Sequence, residues 1–326
     1  MKNTKENILP VSTPPIMYLS RTTAQLAVGG LNPSLPNWMY ARYVQIDIKE
    51  NGWSFFIDFP PNVHSRDIPR EEIRKNYPRF SDYAVEAIDR GCYLFLWTDT
   101  YPLSPYINSR HSHFSHELLI YGYQDNGRVF CIADFFDYRR TFQHAVCSND
   151  ELNLSLESYA QYYKDDWPYV AEWRCDREAA FSFDRPALVR ALTDYRLARN
   201  GRDETFPDNI AYSVAVYSCI RRVLETLPQK EKKHFDHGLY SILPIHKRFM
   251  KQRLRFLRNA RQLAPDPVLD KLLDELIRQC EIIKGLFMKY NITLDAAALK
   301  QITDRLKQAE ELDVHFTERL IAGLRE

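Results

Sequence analysis

The sequence predicts an α+β protein, with a strand-rich first half carrying an antiparallel sheet and a mainly helical second half. Three observations carry that expectation. Two apolar runs, Leu118-Leu119-Ile120-Tyr121 and Val129-Phe130-Cys131-Ile132-Ala133, flank Gln124-Asp125-Asn126-Gly127. Asn-Gly tolerates the positive φ of a tight turn, so the runs read as a hairpin. After Asp184 the apolar residues move to helical spacing, as in Leu269, Leu272, Leu273, Leu276, Cys280, Ile283 and Phe287. Finally, 326 residues with 45% hydrophobic and 13% aromatic content are enough for two domains. The composition changes near residue 148, giving expected domains of 1–148 (α+β) and 149–326 (mainly helical).

Taken in order, residues 1–15 are polar, end in Pro14-Pro15, and read as a draping arm. Ser20-Arg21-Thr22-Thr23 opens a short helix through Ala27, with Gly29-Gly30 as its stop. Trp38–Ile48 alternates like a strand, and Trp53–Phe59 is another, stopped by Pro60-Pro61. Glu71–Asp89 is helical in character. Cys92–Trp97 is a central strand finishing at Asp99, and residues 100–110 form a loop leading to His111, His113 and His116. Gly122 is expected to break the strand that follows.

Phe142–Val146 reads as an edge strand, Asp150–Tyr163 as a helix, and Tyr169–Cys175 as one more strand. Asp184 beside Pro186 caps a helix through Arg199, and Asp208–Leu227 is the next. Pro244 marks the N-terminal region of a third, where His246, Met250, Arg253 and Leu257 share a face. Asp266-Pro267 opens a fourth, and the last runs from Thr293 onward.

Lys+Arg 44 against Asp+Glu 43 leaves almost no net charge, so neither nucleic acid nor an anionic membrane is an expected partner. Ten glycines include neither GxGxxG nor GxxxxGK[ST], and no cofactor is expected. The six cysteines form no CxxC pair, the N-terminus lacks an apolar signal core, and no run of 18 apolar residues exists. A cytoplasmic protein in a reducing compartment is the expectation.

The chemistry concentrates between His111 and Asp137. A hairpin brings His116, at the start of one strand, towards Asp134, at the end of the next. An imidazole oriented by a carboxylate is a general base; the alternative is a buried hairpin whose terminal polar residues cap strand ends. His111, His113 and His116 also spell HxHxxH, a spacing of some zinc hydrolases. Ser115 stands where that pattern has aspartate and a strand follows where it has a helix, so no metal is expected. Cys92 and Cys131 lie in apolar strands and read as core, while Cys147 beside Ser148 is less settled. Ser20 opens the first helix, where backbone N–H groups favour a developing anion, so it reads either as a nucleophile or as an ordinary N-cap. His246 and Arg253 on an apolar helix face read as a buried polar contact satisfied by a carboxylate.

The stretch Trp97-Thr98-Asp99-Thr100-Tyr101-Pro102-Leu103-Ser104-Pro105-Tyr106, then His113 to Tyr123 (HFSHELLIYGY) and Ala133-Asp134, resembles the butirosin biosynthesis protein H-like family. The likeness spans about residues 90–140, with a looser fit at His246-Lys247 and Met250…Arg253. It implies a papain/C39-peptidase-like lobe followed by a helical lobe. It also implies a role in nonribosomal-peptide-type natural-product biosynthesis, with acyl transfer from a carrier-protein thioester to an amine in a cleft between the lobes. By position His116 is the base, Asp134 its orienting carboxylate, and His113, Asp99, Tyr101 and Tyr123 are candidate substrate contacts. The implied partners are an acyl or peptidyl carrier protein and a small-molecule or peptide substrate. The family's nucleophilic cysteine opens the first helix. Residues Pro15 to Gly30 contain none, and Ser20 stands in that place. The functional expectations are thus acyl or peptidyl transfer or hydrolysis, a non-catalytic scaffold in such a pathway, or a zinc hydrolase.

Overall fold

The two apolar runs around Asn126-Gly127 pair as an antiparallel hairpin, with φ of 54° at Asn126 and 81° at Gly127. The computed structural model describes residues 5–49, 52–55, 59–137, 141–200, 209–226, 234–235 and 237–326. In chain order its elements begin β1 (Asn7–Ile8), α1 (Ser20–Gly29), α2 (Leu35–Arg42), β2 (Ile46–Lys49), β3 (Gly52–Phe55), β4 (Val63–Pro69), α3 (Arg70–Asn76) and α4 (Phe80–Asp89). There follow β5 (Tyr93–Asp99), β6 (Ser115–Gln124), β7 (Val129–Asp134), β8 (Gln143–Ser148), α5 (Asn149–Tyr163) and β9 (Tyr169–Cys175). The remainder is α6 (Arg185–Arg196), β10 (Asn209–Tyr212), α7 (Ala215–Thr226), α8 (His237–Asn259), α9 (Pro267–Thr293) and α10 (Ala296–Arg325). The protein is mixed α and β, and contacts divide it into residues 1–35 with 59–180 and residues 36–58 with 181–326.

The first unit is built on a seven-stranded sheet in the order β4-β9-β5-β6-β7-β8, with β1 added alongside β6. Every pairing is antiparallel. Its central strands are covered on both faces, which is why they read as continuous apolar runs rather than as alternation. On one face Leu94, Leu96, Leu118, Ile120 and Ile132 pack with Ala84 and Ala87 of α4 and Leu152 and Leu156 of α5. On the other, Tyr93, Phe95, Leu119, Ala133 and Trp173 pack with Ala24, Ala27 and Val28 of α1.

Several expectations change here. The boundary expected at 148 does not coincide with the division of contacts: β9 lies between β4 and β5, and α5 covers their face, so both belong to the first unit. Gly122 does not break β6. It admits β1, since a Cβ there would stand 2.9 Å from the Ile8 Cα. The helix expected over 71–89 is two helices parted at Tyr77-Pro78, because the residue before proline resists the helical conformation. Strand β4 was not foreseen; four consecutive exposed residues (His64 to Asp67) hide its alternation.

The second unit combines a three-stranded antiparallel sheet, β10-β2-β3, with six helices among the described residues. The strand expected over 38–48 is mostly α2, and only its end joins β2. Of the strand expected over 53–59, residues 56–58 lie outside the described residues. The helix expected over 208–227 is β10 followed by α7, divided at Ser213, whose φ is 57°; its end residues 208 and 227 lie outside the described residues. Helix α8 starts at 237 and runs through Pro244, which removes one hydrogen bond without ending the helix. His246 and Arg253 are fully buried as expected, and among the described residues both meet backbone carbonyls. His246 Nε2 lies 2.8 Å from the Val44 carbonyl, while Arg253 donates to Tyr40 O at 2.8 Å and to Tyr43 O, satisfying carbonyls in the last turn of α2 and just past its end.

Candidate active site

The site grows from the register of the hairpin. Leu119 faces Ala133 across β6 and β7, so Asp134 stands opposite Leu118 and diagonal to His116 on the same face. Imidazole and carboxylate meet there, with His116 Nδ1 2.8 Å from Asp134 Oδ2. The Glu117 carbonyl lies 3.1 Å from the same nitrogen. Two acceptors around Nδ1 place its proton there and leave Nε2 as the basic atom. The ring is partly open to solvent, its side chain 27% exposed, while Asp134 is buried.

Tyr106 donates its hydroxyl to the same Asp134 Oδ2 at 2.5 Å. Asp134 Oδ1 is buried with no hydrogen-bond partner among the described residues, so the contacts of this carboxylate are concentrated on Oδ2, where His116 Nδ1 and the Tyr106 hydroxyl meet it. Burial alone lowers the His116 pKa, yet the hydrogen bond and charge of Asp134 outweigh it, and the net pKa is raised. Tyr106 is a site residue that spacing arguments missed. Its position in a loop, well before the start of β6 at Ser115, carries no periodic signal.

A second histidine–carboxylate pair lies at the junction of β5 and the loop. Asp99 is fully buried and all its acceptors are used inside the protein. His113 Nδ1 is 2.5 Å from Oδ2, Ser158 of α5 donates to Oδ2, and the amides of Tyr101 and Phe114 donate to Oδ1 at 3.1 Å. These donors hold the Asp99 carboxyl below its ordinary pKa despite burial, which acts the other way. The His113 ring lies between Tyr101, 4.4 Å away, and Tyr162, 3.7 Å away. Asp99 is therefore a latch for the loop rather than a substrate contact. Ser158 and Tyr162, one helical turn apart, are the α5 residues that complete it.

The remaining expected residues do not join His116. Tyr123 is buried, its hydroxyl donating to Asp89 at 2.8 Å, and seven residues along β6 place it about 23 Å from His116. Ser20 is buried at the start of α1, which packs on the sheet face opposite to that of His116 and Asp134. No hydrogen bond joins Ser20 to His116 among the described residues. Glu117, alternating to the α1 face, instead accepts the Arg21 amide at 3.1 Å. A carboxylate thus caps the helix end where the sequence placed an anion-stabilising site, and burial raises its pKa.

Cys131 and Cys147 are buried in the sheet, and burial pushes both thiols up, away from the thiolate form. Cys92 is buried too, its sulfur accepting from Arg174 Nε at 3.1 Å. The three clustered histidines turn to separate acceptors: His111 to the Ser109 carbonyl, His113 to Asp99 and His116 to Asp134. Among the described residues no group of three or more metal-ligating side chains gathers, and no helix is long and apolar enough to cross a membrane.

No protein-family model matches the chain, and the search of curated proteins returns no match.

Proposed function

We propose that this chain is a papain/C39-like protein of natural-product biosynthesis that transfers or hydrolyses an acyl or peptidyl group presented as a carrier-protein thioester. His116 is the general base, Asp134 holds its tautomer, and the nucleophile is external: the acceptor amine, or water. The carrying observation is the His116–Asp134 contact of 2.8 Å with Nε2 left as the basic atom. A helix packed on an antiparallel sheet, with the histidine opening one hairpin strand and the aspartate closing the next, supports the fold assignment. As the amine nitrogen bonds to the thioester carbonyl carbon, Nε2 takes its proton. The C–S bond then breaks, and the imidazolium returns a proton to the leaving thiolate. Direct attack is favoured over a covalent serine step because Ser20 has no hydrogen bond to His116 and serine needs a base within reach.

Turnover of acyl-carrier thioesters tests this reading. His116→Ala should cost about 10²–10⁴-fold, whereas Ser20→Ala and alkylation of the cysteines should change little. Full turnover by the His116→Ala protein would remove His116 as the base. Glu117 favours a second reading, a non-catalytic scaffold of the same pathway, because its carboxylate occupies the end of α1. Carrier-protein binding retained in both wild type and His116→Ala, with no turnover in either, would establish that reading.

A further inference from the structure

We propose that Gln143 is a positioning residue of the His116–Asp134 pair: its side-chain amide donates to Asp134 Oδ1, through one water or a turn of its terminal torsion, and so sets how strongly the carboxylate holds the ring. The register of β7 and β8 puts it in place. On the face that carries the site, Phe130 stands opposite Cys147, Ile132 opposite Ala145 and Asp134 opposite Gln143. Two apolar pairs are followed by one polar pair. Directly opposed residues of an antiparallel ladder have Cβ atoms about 4.5–5.5 Å apart, so a glutamine amide is long enough to serve a facing carboxylate.

Both members of the polar pair carry an unmatched buried atom. Among the described residues, Asp134 Oδ1 meets no donor and Gln143 Nε2 meets no acceptor. A carboxylate oxygen only accepts and an amide nitrogen only donates, so each supplies what the other needs. Orphaned buried groups are costly, and two complementary ones on facing residues are expected to satisfy each other. Oδ2 is already taken by His116 Nδ1 and the Tyr106 hydroxyl. A donor on Oδ1 pins the second oxygen and draws charge away from the first. The positive end of the amide dipole then opposes the imidazolium, so removing it raises the affinity of His116 for its proton. Two further titratable groups lie close: Glu117, whose charge also acts on His116, and Cys147, farther along the Gln143 row. Neither bonds to Oδ1.

Histidine NMR titration of the full chain tests this without any substrate. Gln143→Met keeps the length of the side chain and removes the donor, and the His116 midpoint should rise by about half a pH unit. His144→Gln, one residue along but on the opposite face beside Tyr121 and Phe142, should leave it unchanged. In the wild type the Gln143 side-chain amide signal, assigned through its bonded carbons, should titrate with the His116 midpoint. That second measurement needs no variant to fold. An unchanged or lowered midpoint in Gln143→Met would overturn the proposal, as would an equal rise in His144→Gln or an amide signal that ignores His116. The proposed function bears only on the consequence for turnover, where the acid limb of kcat/KM should move up with the midpoint. A raised midpoint with no turnover in any variant would uphold the role of Gln143 and remove the catalytic reading.

Discussion

His116 titrates under the control of Asp134, and the sign of that control makes a measurable difference. The pKa of the ring is raised above 6.5 because the carboxylate outweighs burial. The basic form therefore accumulates only above that raised value, and the acid limb of kcat/KM is expected above pH 6.5. In Asp134→Asn burial is opposed only by the Glu117 carbonyl and charge, so a histidine NMR titration should show the midpoint falling. An unchanged midpoint would show that Asp134 does not hold the proton. Linkage runs in the same sense. The stabilisation from the pair is complete below pH 6.5 and is lost as pH rises through the raised pKa. At this scale the pairing of His116 with Asp134 was legible because a short hairpin fixes which residues meet. Tyr123 misled because being close in sequence along a strand is not being close in space. Glu117 was passed over because its partner is a backbone amide on another element, which no side-chain pattern announces.

Between elements, the loop over 100–114 is held by Asp99, and Tyr106 within it bonds to Asp134. Further bonds close the loop: Thr100 N to the Phe114 carbonyl, Arg110 N to the Tyr101 carbonyl, and Ile107 N to the Phe136 carbonyl. Asp99→Asn leaves buried donors poorly matched, and we expect a cost of roughly 1–3 kcal/mol. Hydrogen exchange should quicken at the Tyr101 and Phe114 amides while α9 keeps its protection. Unchanged exchange across 100–114 would show that the latch does not restrain the loop.

A second buried device joins α8 to α10. Lys247 Nζ lies 2.5 Å from Asp313 Oδ2, which also accepts the hydroxyls of Tyr195 at 2.7 Å and Tyr217 at 3.0 Å. Lys247→Met alone strands the buried carboxylate and should cost roughly 3–5 kcal/mol, most of it recovered by adding Asp313→Leu. Denaturant unfolding of the two variants checks this, and equal losses would refute coupling. Helices α5, α9 and strand β9 were legible because caps and apolar spacing coincide there. The element ends that were missed, at Pro244 and Ser213, were decided by tertiary packing or by one backbone dihedral.

Across the whole molecule, the chain does not fold as two consecutive halves. Residues 36–58 leave the first unit for the second, and residues 59–180 return to complete the sheet. A composition change near 148 marks where helices begin to dominate, not where one set of contacts ends. Strand content thins after β8 even though β9 has still to be placed between β4 and β5. The consequence is testable by cutting the chain. A fragment of residues 1–148 retains β4 and β5 but lacks the strand that joins them, and it lacks α5, whose Leu152 and Leu156 cover that face. Removing a central strand leaves two unpaired edges and bares apolar surface. The complementary fragment 149–326 carries β9 with no neighbour and lacks β2 and β3, two of the three strands in the second sheet. We expect neither fragment alone to give dispersed amide NMR spectra or a cooperative thermal transition. Mixing them should recover both features, since together they supply every strand. Cooperative unfolding of the isolated 1–148 fragment would show that β4 and β5 find a stable arrangement without β9, and that the first unit ends where the composition changes.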